Sequence, residues 1–493
     1  MTYSHVQDAV RIAHWRVPWP LAVAALFYLL LLILGNGLLN DPDTHWQIAL
    51  GRWIMAHHQV PHSDVFSYTM HGKPWISSEW LAQVLYANAF AIGGWSAVVV
   101  LAAAAIAGAF GLLTRFLFER LALTPVLVLA AAAFVLASPH FLARPHALAL
   151  PVMVAWVAGL VRALDQRRLP SFALLPVMML WANLHGSFTF GLALLAPIVL
   201  EALWNAPPSQ RISVALRWGL FAMLAVIAAS VTPYGPESIL VTFRVLGLGR
   251  ALALIPEWQP QDFATVTGFE LCLLLGIGGA LYLRLNLPPI RILVLLGLLC
   301  MALAHIRNGE VLGLLGPLFI AAPLASQIEG CDGRRTGEGN GHLLPSLALI
   351  LALCLETVGV SYTSDYQPRA AVTPTRAVAA LEASGAKHVL NSYVFGGYLI
   401  ASGIKPFIDG RTELYGEKFV LSHDRAVKLQ DVGAFFWLLK NYDIDATMLA
   451  PDAPAVGLLD RLKGWNRVYA DNVAVVHVRT GAPQPDGAEE LRP

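Results

Sequence analysis

Charge is what this chain has least of. Only 13% of its 493 residues are Asp, Glu, Lys or Arg, against about 25% in an ordinary soluble domain. With 57% hydrophobic residues, that deficit excludes a water-soluble globular chain and makes lipid the expected solvent. A surplus of either sign is also missing. Lys and Arg total 33 against 32 Asp and Glu, a net charge of +1, so the basic excess that a nucleic-acid partner requires is absent. Cysteine is scarce. Cys272, Cys300 and Cys354 lie in apolar runs and Cys331 in a short polar loop. None has metal-ligand spacing, and no disulfide framework is expected. No internal repeat is found.

What is present is a series of about eleven apolar runs near bilayer-crossing length, at 19–39, 95–114, 123–138, 146–163, 170–184, 187–204, 213–232, 268–284, 290–304, 311–327 and 343–362. The first follows Arg11 and Arg16 without a small-residue cleavage site, which reads as an anchor and not a signal peptide. Arg11, Arg16, Arg115, Arg120, Arg162, Arg167, Arg168, Arg211, Arg217, Arg284, Arg291, Arg334 and Arg335 all fall in alternate loops. By the positive-inside rule these loops are cytoplasmic. The expected protein is therefore integral to an inner (plasma) membrane, with its N-terminus in the cytoplasm and its C-terminus on the outer, periplasmic side. Residues 1–363 form the membrane domain with a large first outer loop at 40–78. Residues 364–480 form a small soluble α/β domain, and 481–493 a loose tail. Within the soluble part, strands are expected at 388–390, 405–408, 446–449 and 473–478, with helices near 374–384, 432–441 and 454–463.

Seven polar clusters interrupt the apolar sequence: Asp41-Pro42-Asp43-Thr44-His45, the stretch 75–80, Arg144-Pro145-His146, Asn183-Leu184-His185-Gly186, Thr232-Pro233-Tyr234-Gly235, Pro256-Glu257-Trp258, and 305–310 with Arg307, Asn308 and Glu310. The charge count puts all of them at outer span ends. Ionisable groups at membrane depth are costly and usually line a cavity, so the convergence predicts one polar site. Asp41 and Asp43 either cap a following helix or supply carboxylate chemistry. In that helix Trp46, Ala49, Leu50, Trp53 and Ile54 share a face, a pattern that predicts a helix lying in the membrane interface. Glu79 is a first-turn carboxylate or a site residue, on a face with Gln83 and Tyr86. Arg144 and Arg307 suit phosphate, because a guanidinium stays charged and binds bidentately. His146, Asn183, His185 and Glu257 are candidate substrate contacts, with hydrogen-bonded turns as the plainer alternative for Asn183 and His185. The histidines at 57, 58, 62 and 71 lack the helical spacing of a metal motif, and no metal ligands are assigned. Residues 236–267 are expected to form an ordered loop over the cavity. In the soluble domain, Gly396-Gly397 reads as a tight strand-to-helix turn, and Asp409 with Arg411 as an ion pair or a cavity-facing pair.

Taken together, Asp41-Pro42-Asp43 after the first span, the helix at 44–57, the Pro61-x-x-Asp64-x-Phe66-Ser67 and Glu79-Trp80-Leu81 stretches, and the later Phe395-Gly396-Gly397-Tyr398 and Ile408-Asp409-Gly410-Arg411 resemble the GT-C class of membrane glycosyltransferases, most closely a bacterial branch. The class includes protein O-mannosyltransferases and lipid A aminoarabinose transferases. The Trp-Trp-Asp motif of oligosaccharyltransferases is missing, a departure from that branch. The resemblance implies a polytopic α-helical membrane protein with a C-terminal α/β domain. It implies transfer of a sugar from a polyprenyl-phosphate donor, with inversion, to a hydroxyl on a glycan, lipid or protein acceptor at the outer face. Asp43 would be the catalytic base supported by Asp41, with a divalent cation left open as cofactor. A transporter or lipid flippase is the alternative, though such proteins place polar residues near the midplane in paired repeats. A non-catalytic scaffold for polysaccharide assembly is another.

Overall fold

The computed structural model describes residues 17–328 and 343–480. Arg11, Arg16, Arg334, Arg335, Cys331 and the expected tail at 481–493 lie outside the described residues.

Lipid offers no hydrogen bonds, so apolar sequence must satisfy its backbone internally as helix. Six segments, Trp80–Phe118, Leu123–His140, Pro145–Asp165, Pro208–Ala229, Ile306–Gln327 and Leu343–Ser361, are long and apolar enough to cross a membrane. Five shorter apolar helices, Trp19–Ile33, Leu174–Leu184, Phe188–Trp204, Gly268–Tyr282 and Pro289–Ala304, have 10–17 residues. The chain is an integral membrane protein. Pro145–Asp165 is the most enclosed helix, with Trp156 wholly buried among Phe110, Trp181 and Phe221 in the main core. Leu343–Ser361 stands almost bare at the periphery. The 39-residue helix Trp80–Phe118 would measure roughly 58 Å if straight, about twice the hydrocarbon thickness. Gly93 and Gly94 break it, and Gly94 at φ +58 adopts a left-handed conformation that favours glycine.

The arginine-rich ends gather at one pole. Arg120 pairs with Asp165 at 3.2 Å, Arg162 with Glu119 at 2.7 Å, and Arg291 with Asp165 and Glu201 at 2.6 and 2.8 Å. The seven polar clusters meet at the opposite pole, beside the C-terminal domain.

That domain holds a four-stranded mixed sheet of β1 (Val389–Asn391), β2 (Ala446–Leu449), β3 (Trp465–Ala470) and β4 (Val475–Arg479), in the order β1-β2-β4-β3. β1 and β2 are parallel, and the other two pairings are antiparallel. Helix Thr375–Ser384 packs Ala377, Val378 and Leu381 on one face. Helices Thr412–Val427 and Val432–Asn441 cover the other with Val420, Phe435 and Leu439.

Three local expectations change. Residues 405–408 make no strand beyond one bridge, Val389 to Pro406. Instead the Asn391 side chain acts as the missing neighbour, accepting from Phe407 N–H at 2.8 Å and donating to the Ile408 carbonyl at 2.8 Å. Within 236–267, the sequence Glu237–Leu246 forms a helix. The helix Asp43–His57 does not lie with its apolar face on lipid. Trp46, Leu50 and Ile54 are buried against Trp75 and Ile400 of the soluble domain, and Gly51 lies so close to the Gln83 carbonyl that a Cβ has no room. The helix is clamped on two sides, and that burial satisfies its apolar stripe.

Candidate active site

Asp41 and Asp43 sit where the chain leaves the first span and turns into the helix Asp43–His57. Asp41 Oδ1 accepts the Asp43 backbone N–H at 2.8 Å, and Asp43 Oδ1 accepts Trp46 Nε1–H at 3.1 Å. Asp41 thus holds the first backbone N–H of the helix from the position before Pro42, the N-cap, which itself makes no side-chain cap. Its second oxygen, and Asp43's, both face Arg144.

Arg144 is the hub. Its Nε is 2.7 Å from Asp41 Oδ2, close enough for an ion pair though not aligned as a hydrogen bond. Its Nη2 donates to Asp43 Oδ2, and its Nη1 donates to Glu257 Oε2 at 2.5 Å. Glu257 then accepts from Arg307 Nη1 at 3.0 Å on its other oxygen, and the Arg307 guanidinium lies 4.8 Å above the Trp258 ring. One carboxylate thus ties together two arginines from distant spans. The backbone at Arg144 is fixed by Thr44 Oγ1–H to the Ala143 carbonyl (3.1 Å) and Tyr86 O–H to the Arg144 carbonyl (3.0 Å).

Glu79 Oε2 accepts from Gln47 Nε2 at 3.0 Å, and Glu79 Oε1 lies 3.3 Å from His185 Nε2. Ser187 N–H points at His185 Nδ1 (3.2 Å), which leaves the ring proton on Nε2, toward Glu79. Asn183 is used entirely within the protein: it accepts from Trp80 Nε1 at 2.8 Å and donates to the Met179 and Val231 carbonyls. Tyr234 likewise joins the outer loops, donating to the Pro61 carbonyl and accepting Ser77 N–H. His146 lies behind Glu257, its Nε2 3.0 Å from the His140 carbonyl and 3.7 Å from Glu310 Oε2.

Burial and charge set the protonation. Burial pushes Asp41 up, Arg144 opposes and Asp43 adds to the rise, leaving it at about 7. Asp43 moves upward for the same reason, burial opposed by Arg144. Burial carries Glu79 to about 7. At Glu257 burial is overcome by Arg144 and Arg307, which hold it at about 2. His185 is driven down to about 3 by burial and then by Arg307 and Arg144. The pole thus combines one firmly ionised carboxylate between two cations with carboxyls shifted toward neutral pH, the range suited to a general base.

The soluble domain closes the back of this site. Gly410 abuts the Asp43 carboxylate with no space for a Cβ, and Gly397 abuts the Pro42 carbonyl in the same way. Tyr393 O–H donates to the Gly410 carbonyl at 3.2 Å. Asp409 and Arg411 form an ion pair and not a cavity-facing one. Arg411 donates to Asp409 Oδ1 and Oδ2 at 2.8 and 2.6 Å and to Asp64 Oδ1 of the first outer loop at 2.5 Å, all three wholly buried.

No protein-family model matches the chain, and no curated protein sequence does. Among solved structures, the archaeal oligosaccharyltransferase AglB from Archaeoglobus fulgidus, in complex with an inhibitory peptide and a dolichol-phosphate, matches 87% of this chain and 69% of its own with TM-score 0.52 at 11% identity. The likeness is one of fold. ArnT from Cupriavidus metallidurans, bound to undecaprenyl phosphate, covers 94% of this chain and 99% of its own with TM-score 0.44 at 13% identity. Within the structure the nine residues singled out from sequence fall at one pole. Asp41, Asp43, Arg144, Glu257 and Arg307 form one connected set, Glu79 with His185 a second, and His146 lies behind Glu257, while Asn183 braces the loops. Sequence reasoning did not single out His140, Tyr393 or the contact of Gly410 with Asp43. The Ile-Asp-Gly-Arg run was the only signal for that contact.

Proposed function

We propose that this chain is a membrane glycosyltransferase that moves a sugar from a polyprenyl-phosphate donor to a hydroxyl acceptor on the outer face, through eleven crossings with the C-terminal domain outside. The observation that carries the reading is the pairing of Asp41 and Asp43 with Arg144 and, through Glu257, with Arg307. Asp43 takes the acceptor's hydroxyl proton. The acceptor oxygen forms its bond to the anomeric carbon from the side opposite the leaving group, and the carbon–oxygen bond to phosphate breaks with its electron pair remaining on the phosphate. Arg144 and Arg307 stabilise that charge, with the donor phosphate competing with Glu257 for them. Asp41 holds Asp43 and Arg144 in register. Support also comes from the fold, since AglB was solved with a dolichol-phosphate.

The test is transfer by purified protein from a panel of polyprenyl-phosphate sugars, comparing wild type with Asp43→Asn. Turnover lost in a folded variant supports both the reaction and the base. Turnover retained moves the base to another carboxylate. No turnover and no donor binding across the panel overturns the reading in favour of a transporter or scaffold.

A further inference from the structure

Behind Glu257 lies a second constellation. His140, in a turn after the helix Leu123–Ala137, His146, in the first turn of Pro145–Asp165, and Glu310, in the first turn of Gly309–Gln327, are all buried. One ring nitrogen of each histidine and one Glu310 oxygen lie within 4.8 Å of one another. The two imidazoles are stacked, 4.4 Å between centroids and 26° between planes.

Two of these atoms are orphans. His140 Nε2 and Glu310 Oε2 are buried with no hydrogen-bond partner, in residues exposed by only 3% and 6%, a costly state for a polar atom. Both belong to the same three-residue group, so one occupant satisfies both. The surrounding charge selects its sign. Among the described residues, Asp41, Asp43 and Glu257 pair with Arg144 and Arg307, three carboxylates to two guanidiniums, and Glu310 adds a fourth carboxyl beside them.

We infer that His140, His146 and Glu310 bind a divalent transition-metal ion of the zinc type. Two imidazoles and a carboxylate are a recurrent three-ligand set for zinc, with a fourth position open. Ligands about 2.0–2.2 Å from a tetrahedral ion stand roughly 3.4 Å apart, so separations of up to 4.8 Å close by roughly 1.4 Å at most, with the His146 ring turning away from the His140 carbonyl that its Nε2 meets at 3.0 Å. Glu257 Oε2, 3.9 Å from His140 Nδ1, is placed to orient that ring from behind, as carboxylates commonly orient metal-bound histidines. None of the three ligands is Asp41 or Asp43, so this site is separate from the aspartate pair and linked to it through Glu257.

The experiment uses the full chain without a polyhistidine tag, loaded with Zn2+ and dialysed against a weak chelator. About one zinc per chain is expected in wild type and none in His140→Ala or Glu310→Gln. Replacement by Co2+ is expected to give the intense visible absorption of a four- or five-coordinate ion. Zinc lost on dialysis from wild type overturns the site. Zinc kept equally by both variants also overturns it, assigning the metal to exposed His57, His58 or His71. Should either variant fail to fold, the wild-type cobalt spectrum decides, since the weak band of six-coordinate Co2+ overturns the site by itself. Metal retention is read without any sugar donor, so its outcome is independent of whether the protein transfers sugars.

Discussion

Replacing Gly410 by alanine probes the closure of the site without removing any charge. A Cβ at Gly410 would lie inside van der Waals contact with Asp43 Oδ1 and 3.1 Å from Oδ2, where ordinary contact begins at 3.4 Å. Asp43 cannot retreat along its own helix, because Trp46 Nε1 and Arg144 hold its two oxygens. The Gly410 backbone is held in turn by Tyr393. The strain is relieved only by moving the carboxylate on the order of 1 Å, a misplacement that costs roughly 100-fold in rate. Overpacking adds a stability loss of about 1–3 kcal/mol. The assay is sugar transfer at saturating donor, with unfolding followed in parallel. Gly108→Ala is the control, since its Cβ meets nothing within 4 Å, and it should be neutral or more stable by up to about 1 kcal/mol. A Gly410→Ala protein with the wild-type rate would falsify the placement of Asp43 as base against the soluble domain.

Other consequences can be measured in the same system. Because a base must be deprotonated and burial raises both Asp41 and Asp43, the transfer rate should fall as pH drops through the range in which the pair takes up a proton. In Asp41→Asn the neighbouring negative charge is gone and the acid limb should move to lower pH; an unmoved limb assigns it to another group. Glu257→Gln removes the carboxylate that ties Arg144 to Arg307 and should tighten polyprenyl-phosphate binding about tenfold at low salt, whereas unchanged or weaker binding would exclude these arginines as the phosphate site. Arg411→Ala strands two buried carboxylates and should cost about 3–5 kcal/mol in denaturant unfolding. Its exposed counterpart Arg467→Ala, at the Asp460 pair, should cost under about 1 kcal/mol. Equal losses in the two would contradict the burial argument.

The membrane helices were legible because apolar composition over bilayer length needs no tertiary information. The polar pole was legible because ionisable residues in such a sequence are few, and an arginine count was enough to sort them to one side. What the sequence concealed depends on partners distant in the chain. His140 sits just past an apolar run, and only the fold brings Glu310 beside it. The 43–57 helix has the amphipathic stripe of an interfacial helix, and nothing local says that Ile400 will cover it. Residues 405–408 have strand composition, yet Asn391 replaces the ladder that would have made them a strand. The helix Glu237–Leu246 escapes a reading of the sequence because Pro256 and Pro260 mark its segment as loop.

The buried bridge from Arg411 to Asp64 also has a meaning in time. The two residues are 347 positions apart, and at about 5–20 residues per second the ribosome needs roughly 17–70 s to pass from one to the other. Throughout that interval the first outer loop has left the ribosome while the glycine that backs Asp43 and the arginine that anchors the loop have not been made. The spans can therefore be threaded into lipid before the carboxylate pair is locked in position. The polar pole is completed by a segment made after every span that supplies its other residues.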